Sequence, residues 1–293
     1  MKKVFIVLIL SAFLTPLFSQ ETAKDASGPV RMTFGTGTLI ENQTVATPYK
    51  GGIELEIQHR FSRITSYHDL FGIYGSANTR IGLNYGITDK IMIGLGTTKD
   101  YKLQDIQWKY LILQQTIDGK MPVSLSYYGN LVIDARADDA FGPTSDYKFI
   151  HRISYFNQII IARKFGEKIS VQVAPSVAYF NASPKYQAEG DTLYYNYKNL
   201  NFGVSAGARV NLFGSHSLIL EYDQLLSKQD LGPGVSQPKP NLSLGWEIGT
   251  GTHTFSIFVT NYNQIIAQRN LVFNTNDFTK GDYMVGFNIH VRF

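Results

Sequence analysis

The feature that most constrains this chain is a period of two that recurs about a dozen times along it. Its clearest instance is the final stretch, where Tyr283, Val285, Phe287, Ile289, Val291 and Phe293 alternate with Met284, Gly286, Asn288, His290 and Arg292. Successive side chains of a β-strand point to opposite faces, so this segment carries one continuous apolar face and one mixed polar face. A single strand of this kind also suits a half-buried soluble sheet. A dozen of them, each about ten residues long and edged with aromatics, suit the wall of a transmembrane β-barrel.

The companions are found throughout. Ile53, Leu55 and Ile57 flank Glu54 and Glu56, while Thr79, Ile81, Leu83, Tyr85 and Ile87 flank Arg80, Gly82, Asn84 and Gly86. Ile106, Trp108 and Tyr110 enclose Gln107 and Lys109; Leu242, Leu244, Trp246 and Ile248 enclose Ser243, Gly245 and Glu247. The connections alternate in length. Those at 88–90, 116–120, 164–168, 213–216 and 250–253 are short, and those at 62–77, 135–148, 181–199, 227–240 and 263–282 are long. Only the link at 99–103 breaks the rule. Short periplasmic turns and longer outer loops mark outer-membrane barrels, whereas a soluble sandwich has no reason for the asymmetry. The pattern predicts an all-β fold, a transmembrane antiparallel up-and-down β-barrel of about 12 strands over residues 52–293. Pro175 falls inside one strand and lacks a ladder donor, which predicts a bulge or a slipped register there.

Composition narrows the class. Only 17% of residues are charged, against 18 tyrosines and 19 phenylalanines. The formal charge of +4 falls to +2 without Lys2 and Lys3, too small a surplus to argue for nucleic acid. The absence of cysteine excludes disulfides, thiolate metal sites and cysteine nucleophiles. Lys2 and Lys3 followed by the apolar run Val4 to Leu14 and by Pro16 read as a signal peptide over 1–19. Residues 20–51, rich in Gly, Thr, Ser and Pro, read as an N-terminal segment that is either periplasmic or inserted in the lumen.

Three stretches carry a resemblance. Lys50-Gly51-Gly52-Ile53-Glu54-Leu55-Glu56-Ile57-Gln58-His59-Arg60-Phe61 is similar to the first strand of a family of membrane β-barrel proteins of Gram-negative bacteria without an assigned activity. Residues Asn78 to Lys90 resemble its second strand and turn, and Met121-Pro122-Val123-Ser124 its fifth-strand entry. The likeness is specific over roughly residues 30 to 130. It implies an outer-membrane location and carries over no functional residue.

The alternation also sorts the interior. Small inward residues such as Gly82, Gly94, Ser124, Ser126, Ser205, Gly207 and Gly286 dominate. Twelve strands lie between the side-chain-filled bore of about eight and the aqueous channel of about sixteen, so an open bore and a plugged one both stand. Inward charges near the periplasmic ends form a candidate constriction: Glu54, Glu56, Arg209, Glu221, Glu247, His290 and Arg292. Pairing of the last strand with the first sets His290 and Arg292 beside Glu54 and Glu56, and one turn sets Arg209 near Glu221. The same charges also fit an ion-pair belt that stiffens the wall. Arg60, Arg80 and Arg152 fall nearer the outer ends, as a mildly anion-attracting mouth.

Catalytic and metal signatures are missing from the spacing. His216-Ser217 is an adjacent His/Ser pair among six histidines, and nothing converges on it as a triad requires. Asp134, Asp138, Asp139 and Asp146 lack the ligand spacing of a calcium loop. No cofactor is expected. The expected partners are outer-membrane lipid, the barrel-assembly machinery through the C-terminal strand ending at Phe293, and a small hydrophilic solute. The expected function is a passive channel for such solutes in the cell outer membrane. The alternatives are a structural or docking barrel with a plugged lumen and partner-binding loops, and a membrane-embedded lipid or ester hydrolase.

Overall fold

The alternating segments pair with their sequence neighbours, and the last pairs with the first. The computed structural model describes residues 27–141, 146–183, 185–187, 194–232 and 235–293; the expected signal peptide lies outside them. The strands are β1 (Ile53–Arg63), β2 (Asn78–Thr88), β3 (Ile91–Thr98), β4 (Leu103–Leu113), β5 (Ser124–Asp134), β6 (Ile153–Phe165), β7 (Ile169–Phe180), β8 (Lys185–Gln187), β9 (Tyr194–Asn196), β10 (Leu200–Phe213), β11 (His216–Leu225), β12 (Asn241–Gly249), β13 (His253–Thr260) and β14 (Met284–Arg292). One helix, α1 (Ala267–Phe273), lies in the connection before β14. All except β8 and β9 form one closed antiparallel barrel of twelve strands in up-and-down order; β8 and β9 form a small hairpin in a long loop.

Closure is made by β1 and β14 in the register Glu54↔Arg292, Leu55↔Val291 and Glu56↔His290. The ladder runs to the end of the chain, where the Phe293 amide donates to the Ile53 carbonyl at 2.9 Å. A closed sheet leaves no edge, and in hydrocarbon that condition is required of any spanning sheet. The burial pattern inverts that of a soluble protein. Ile81, Leu83, Leu95 and Ile257 are 50–61% exposed on the outer face, while Glu56, Asn84, Gln107, Ser126 and Asn288 are at most 2% exposed. An apolar outer face of this extent is stable against lipid tails and not against water.

Two local expectations resolve differently. Across Pro175 the register with β10 is continuous, Gly203↔Ser176, Val204↔Pro175 and Ser205↔Ala174, so the predicted bulge is absent. On its other side the pairing with β6 lapses between Gln158↔Ser176 and Ile161↔Val173 and resumes in the same register. The strand gives up ladder bonds beside the missing donor and keeps its alignment. Asn157, an outward polar residue on β6, is held by the Tyr127 hydroxyl of β5 at 2.6 Å.

Both ends of the barrel send chain inward. Residues 33–45 are almost all buried, with Leu39, Ile40 and Thr44 at 0% exposure. From the opposite end Tyr262, Ile265, Ile266, Gln268, Asn270, Leu271 and Val272 are buried as well. The interior is therefore a packed core.

Candidate functional site

The inserted segment has no strand to pair with, so its backbone groups must find partners elsewhere. It folds back on itself first: the Leu39 amide donates to the Asn42 carbonyl at 2.9 Å and the Thr44 amide to the Gly37 carbonyl at 2.8 Å. The amides at the tip, Ile40, Glu41 and Asn42, then converge on the Glu221 carboxylate of β11 at 2.8, 2.9 and 3.0 Å. Lys109 of β4 spans both arms, donating to the carbonyls of Gly37 and Ala46 at 2.9 Å each. The Ile40 carbonyl accepts from Arg60 at 3.0 Å and from Asn288 at 2.7 Å. Side chains add Thr38 to Glu56 at 2.6 Å, Asn42 to Asp223 at 2.6 Å, and Arg60 to Glu41 at 3.1 Å.

The wall around it is charged. Arg80 lies between Glu56 at 3.1 Å and Asp105 at 2.6 Å. Arg209 pairs with Glu247 at 2.7 Å, and Arg292 with Glu54 at 3.1 Å. Around the segment seven carboxylates (Glu41, Glu54, Glu56, Asp105, Glu221, Asp223, Glu247) meet five basic side chains (Arg60, Arg80, Lys109, Arg209, Arg292). The opposite side of the lumen carries an apolar cluster beside the buried Gln158, Gln172 and Ser176. Phe34, Leu39, Ile40 and Val45 pack in one cluster with Phe156 and Ile160 of β6, Ala174 of β7 and Ile219 of β11.

The outer segment completes that cluster through Leu271 and Val272 of α1. Gly203 of β10 makes room for it, since a Cβ there would stand 2.6 Å from a Leu271 methyl. Phe273 packs against Phe180 and Tyr197, with ring centroids 4.9 and 4.8 Å away. Gln268 donates to Asn130 of β5 at 3.0 Å. Two spaces remain. A cavity of about 20 Å³, the size of a water molecule, lies between the segments and is lined by Gln58, Gln107, Asn130 and Gln158. A vestibule of about 690 Å³ opens at the end carrying the C-terminus, lined by Arg31, Phe34, Glu54, Asp89 and Arg292.

The constriction residues Glu54, Glu56, Glu221, Glu247 and His290 all face inward and are buried. The anticipated proximity of Glu54, Glu56, His290 and Arg292 follows from the closing register. Arg209 does not meet Glu221. It stands opposite Ile219, while Glu221 stands opposite Gly207 and turns to the inserted segment, so Arg209 reaches past β11 to Glu247. The basic mouth is also not formed. Arg60 and Arg80 are buried in ion pairs with Glu41, Glu56 and Asp105, and Arg152, in the loop before β6, donates to the carbonyls of Asp134 and Arg136 and pairs with Asp138. His216 and Ser217 point to opposite faces of β11: Ser217 is buried, and the His216 ring accepts from the Trp246 indole at 3.1 Å. Lys109, Asp105 and Asp223 belong to the network and were not singled out, although each sits at an inward position of its strand.

A family model described as membrane bound beta barrel domain (DUF5777) matches residues 34–293. The chain belongs to that family. The match includes the inserted segment from Phe34 onward. No curated protein matches the sequence. Among solved structures the fold is similar to the NanC porin, with TM-score 0.51 and 10% identity over 82% of this chain and 98% of that one. It is likewise similar to the COG4313 outer membrane channel from Pseudomonas putida F1, with TM-score 0.52 and 11% identity over 85% and 97% of the two chains. At such identity the likeness concerns the fold.

Proposed function

We propose that the chain is an outer-membrane channel for small hydrophilic solutes, held shut in this conformation by residues 33–46 and by the segment around α1. The observation that carries the reading is the character of the wall from β14 through β4. It meets the inserted segment through hydrogen bonds and ion pairs, which water and ions replace at small net cost. Displacing the segment along that side leaves a charged bore continuous with the vestibule of about 690 Å³. The porin-like fold of its structural neighbours is consistent with transfer across the outer membrane, and no step of catalysis is assigned.

Conductance in a planar bilayer of the mature chain, intact and with both residues 27–47 deleted and residues 264–276 replaced by a short Gly-Ser linker, tests the reading. Silence from the intact mature chain and steady conductance after both changes is the expected result. A second reading, a structural or docking barrel, is favoured by the apolar half of the lumen and by the exposed Tyr67, Phe71 and Tyr74 of the first long loop. Silence from both forms, with the barrel folded, supports that reading instead.

A further inference from the structure

We propose that Glu54, Glu56 and His290 bind a divalent transition-metal ion of the zinc class at the seam where β14 closes on β1. One carboxylate oxygen from each glutamate and one imidazole nitrogen lie within 4.8 Å of one another, all buried. His290 Nδ1 stands 3.6 Å from Glu56 and 3.9 Å from Glu54. Zinc bonds of about 2.0–2.2 Å place neighbouring donors of a tetrahedral ion roughly 3.3 to 3.6 Å apart. The imidazole therefore needs to approach each carboxylate by only a few tenths of an ångström, and the two carboxylate oxygens, within 4.8 Å of each other, close the rest by side-chain rotation. One imidazole and two carboxylates leave a fourth position for water, the donor set of an open zinc site.

A second observation points the same way. His290 is 1% exposed and neither ring nitrogen has a hydrogen-bond partner; Glu54 Oε1 has none either. Buried polar atoms are seldom left unsatisfied, and one ion satisfies Nδ1 and Oε1 together. The remaining carboxylate oxygens are already oriented, Glu54 Oε2 by Arg292 and Glu56 Oε2 by Arg80, each at 3.1 Å. Such outer contacts fix the ligands of metal sites. Glu54 also lines the vestibule, which supplies an entry path. Thr38 donates to Glu56 at 2.6 Å, so the ion braces the inserted segment as well as the seam, whichever of the two functional readings holds.

The test uses the full mature chain, refolded in detergent, stripped with EDTA, exposed to zinc sulfate and gel-filtered before metal analysis. About one zinc per chain is expected, falling more than tenfold in His290→Ala. Equal retention by wild type and variant would assign the zinc to the other histidines and overturn the site, as would retention of none by wild type. If His290→Ala does not fold, cobalt loading of the wild-type chain decides. Intense visible d–d absorption of a four- or five-coordinate ion supports the site, and its absence overturns it.

Discussion

At the residue scale, buried charge matters most where it serves as a backbone partner. Glu221 accepts from three consecutive amides of the inserted segment. Glu221→Ala leaves these donors unsatisfied, at a cost on the order of 3 kcal/mol. Amide exchange at Ile40, Glu41 and Asn42 is expected to accelerate about a hundredfold while exchange in the barrel strands stays unchanged. Gly86 illustrates a different constraint. A Cβ there would lie 2.1 Å from the Tyr49 carbonyl oxygen, and that contact is backbone, so Gly86→Ala must displace residues 48–49 from the wall. A loss of about 1–3 kcal/mol is expected in urea unfolding, with the barrel still formed. The inward positions of Gly86, Glu221 and Lys109 are legible from alternation. Their partners are not, because those lie on chain with no period of its own.

At the element scale, the outer segment is a second closure with its own chemistry. Leu271 and Val272 sit in the luminal apolar cluster, and Leu271→Ala is expected to cost about 2–5 kcal/mol, read as a lowered unfolding temperature of the whole barrel. The far end of the same connection is held by charge. Asp277 accepts from the Thr279 amide at 3.0 Å and hydroxyl at 2.6 Å and pairs with Lys239 at 3.0 Å. Chiefly through the Thr279 hydroxyl, its carboxyl is pulled down to about 2. A carboxyl depressed in the folded state stabilises above its ordinary range, and the contribution disappears as pH falls through the folded value. Proteolysis-independent amide exchange of residues 276–282 is therefore expected to be flat from pH 7 to about 4, after correction for intrinsic rates, and to rise between about 4 and 2. Asp277→Asn should remove that rise.

At the scale of the whole molecule, the barrel and its filling are separable. Every strand of the wall pairs with other wall strands, and residues 27–47 contribute only an isolated bridge from Pro29 to Thr116 and side-chain contacts. Deleting them is expected to leave a closed barrel that still shows heat-modifiable mobility on a denaturing gel, with a lower unfolding temperature. The apolar half explains the loss. Phe156, Ile160 and Ile219, at most 2% exposed, would face water once Leu39 and Ile40 are gone. At about 25 cal/mol per Å² of apolar area that burial is substantial. It sets the work any opening motion must do.

The period of two, the alternation of turn and loop lengths and the absence of a competing helical pattern were sufficient to determine the wall, because strand geometry is local and lipid demands one apolar face. The register of closure followed too, since aligning β14 on β1 brings His290 and Arg292 to Glu56 and Glu54. What filled the bore was decided only in three dimensions. Residues 33–46 and α1 take their conformations from the wall that surrounds them, through contacts separated by up to 257 positions in sequence. The pairing of Arg209 with Glu247 and the burial of Arg60 and Arg80 belong to the same class. A side chain's strand face is written in its neighbours, whereas its partner across a closed lumen depends on curvature, on strand stagger and on the chain that enters.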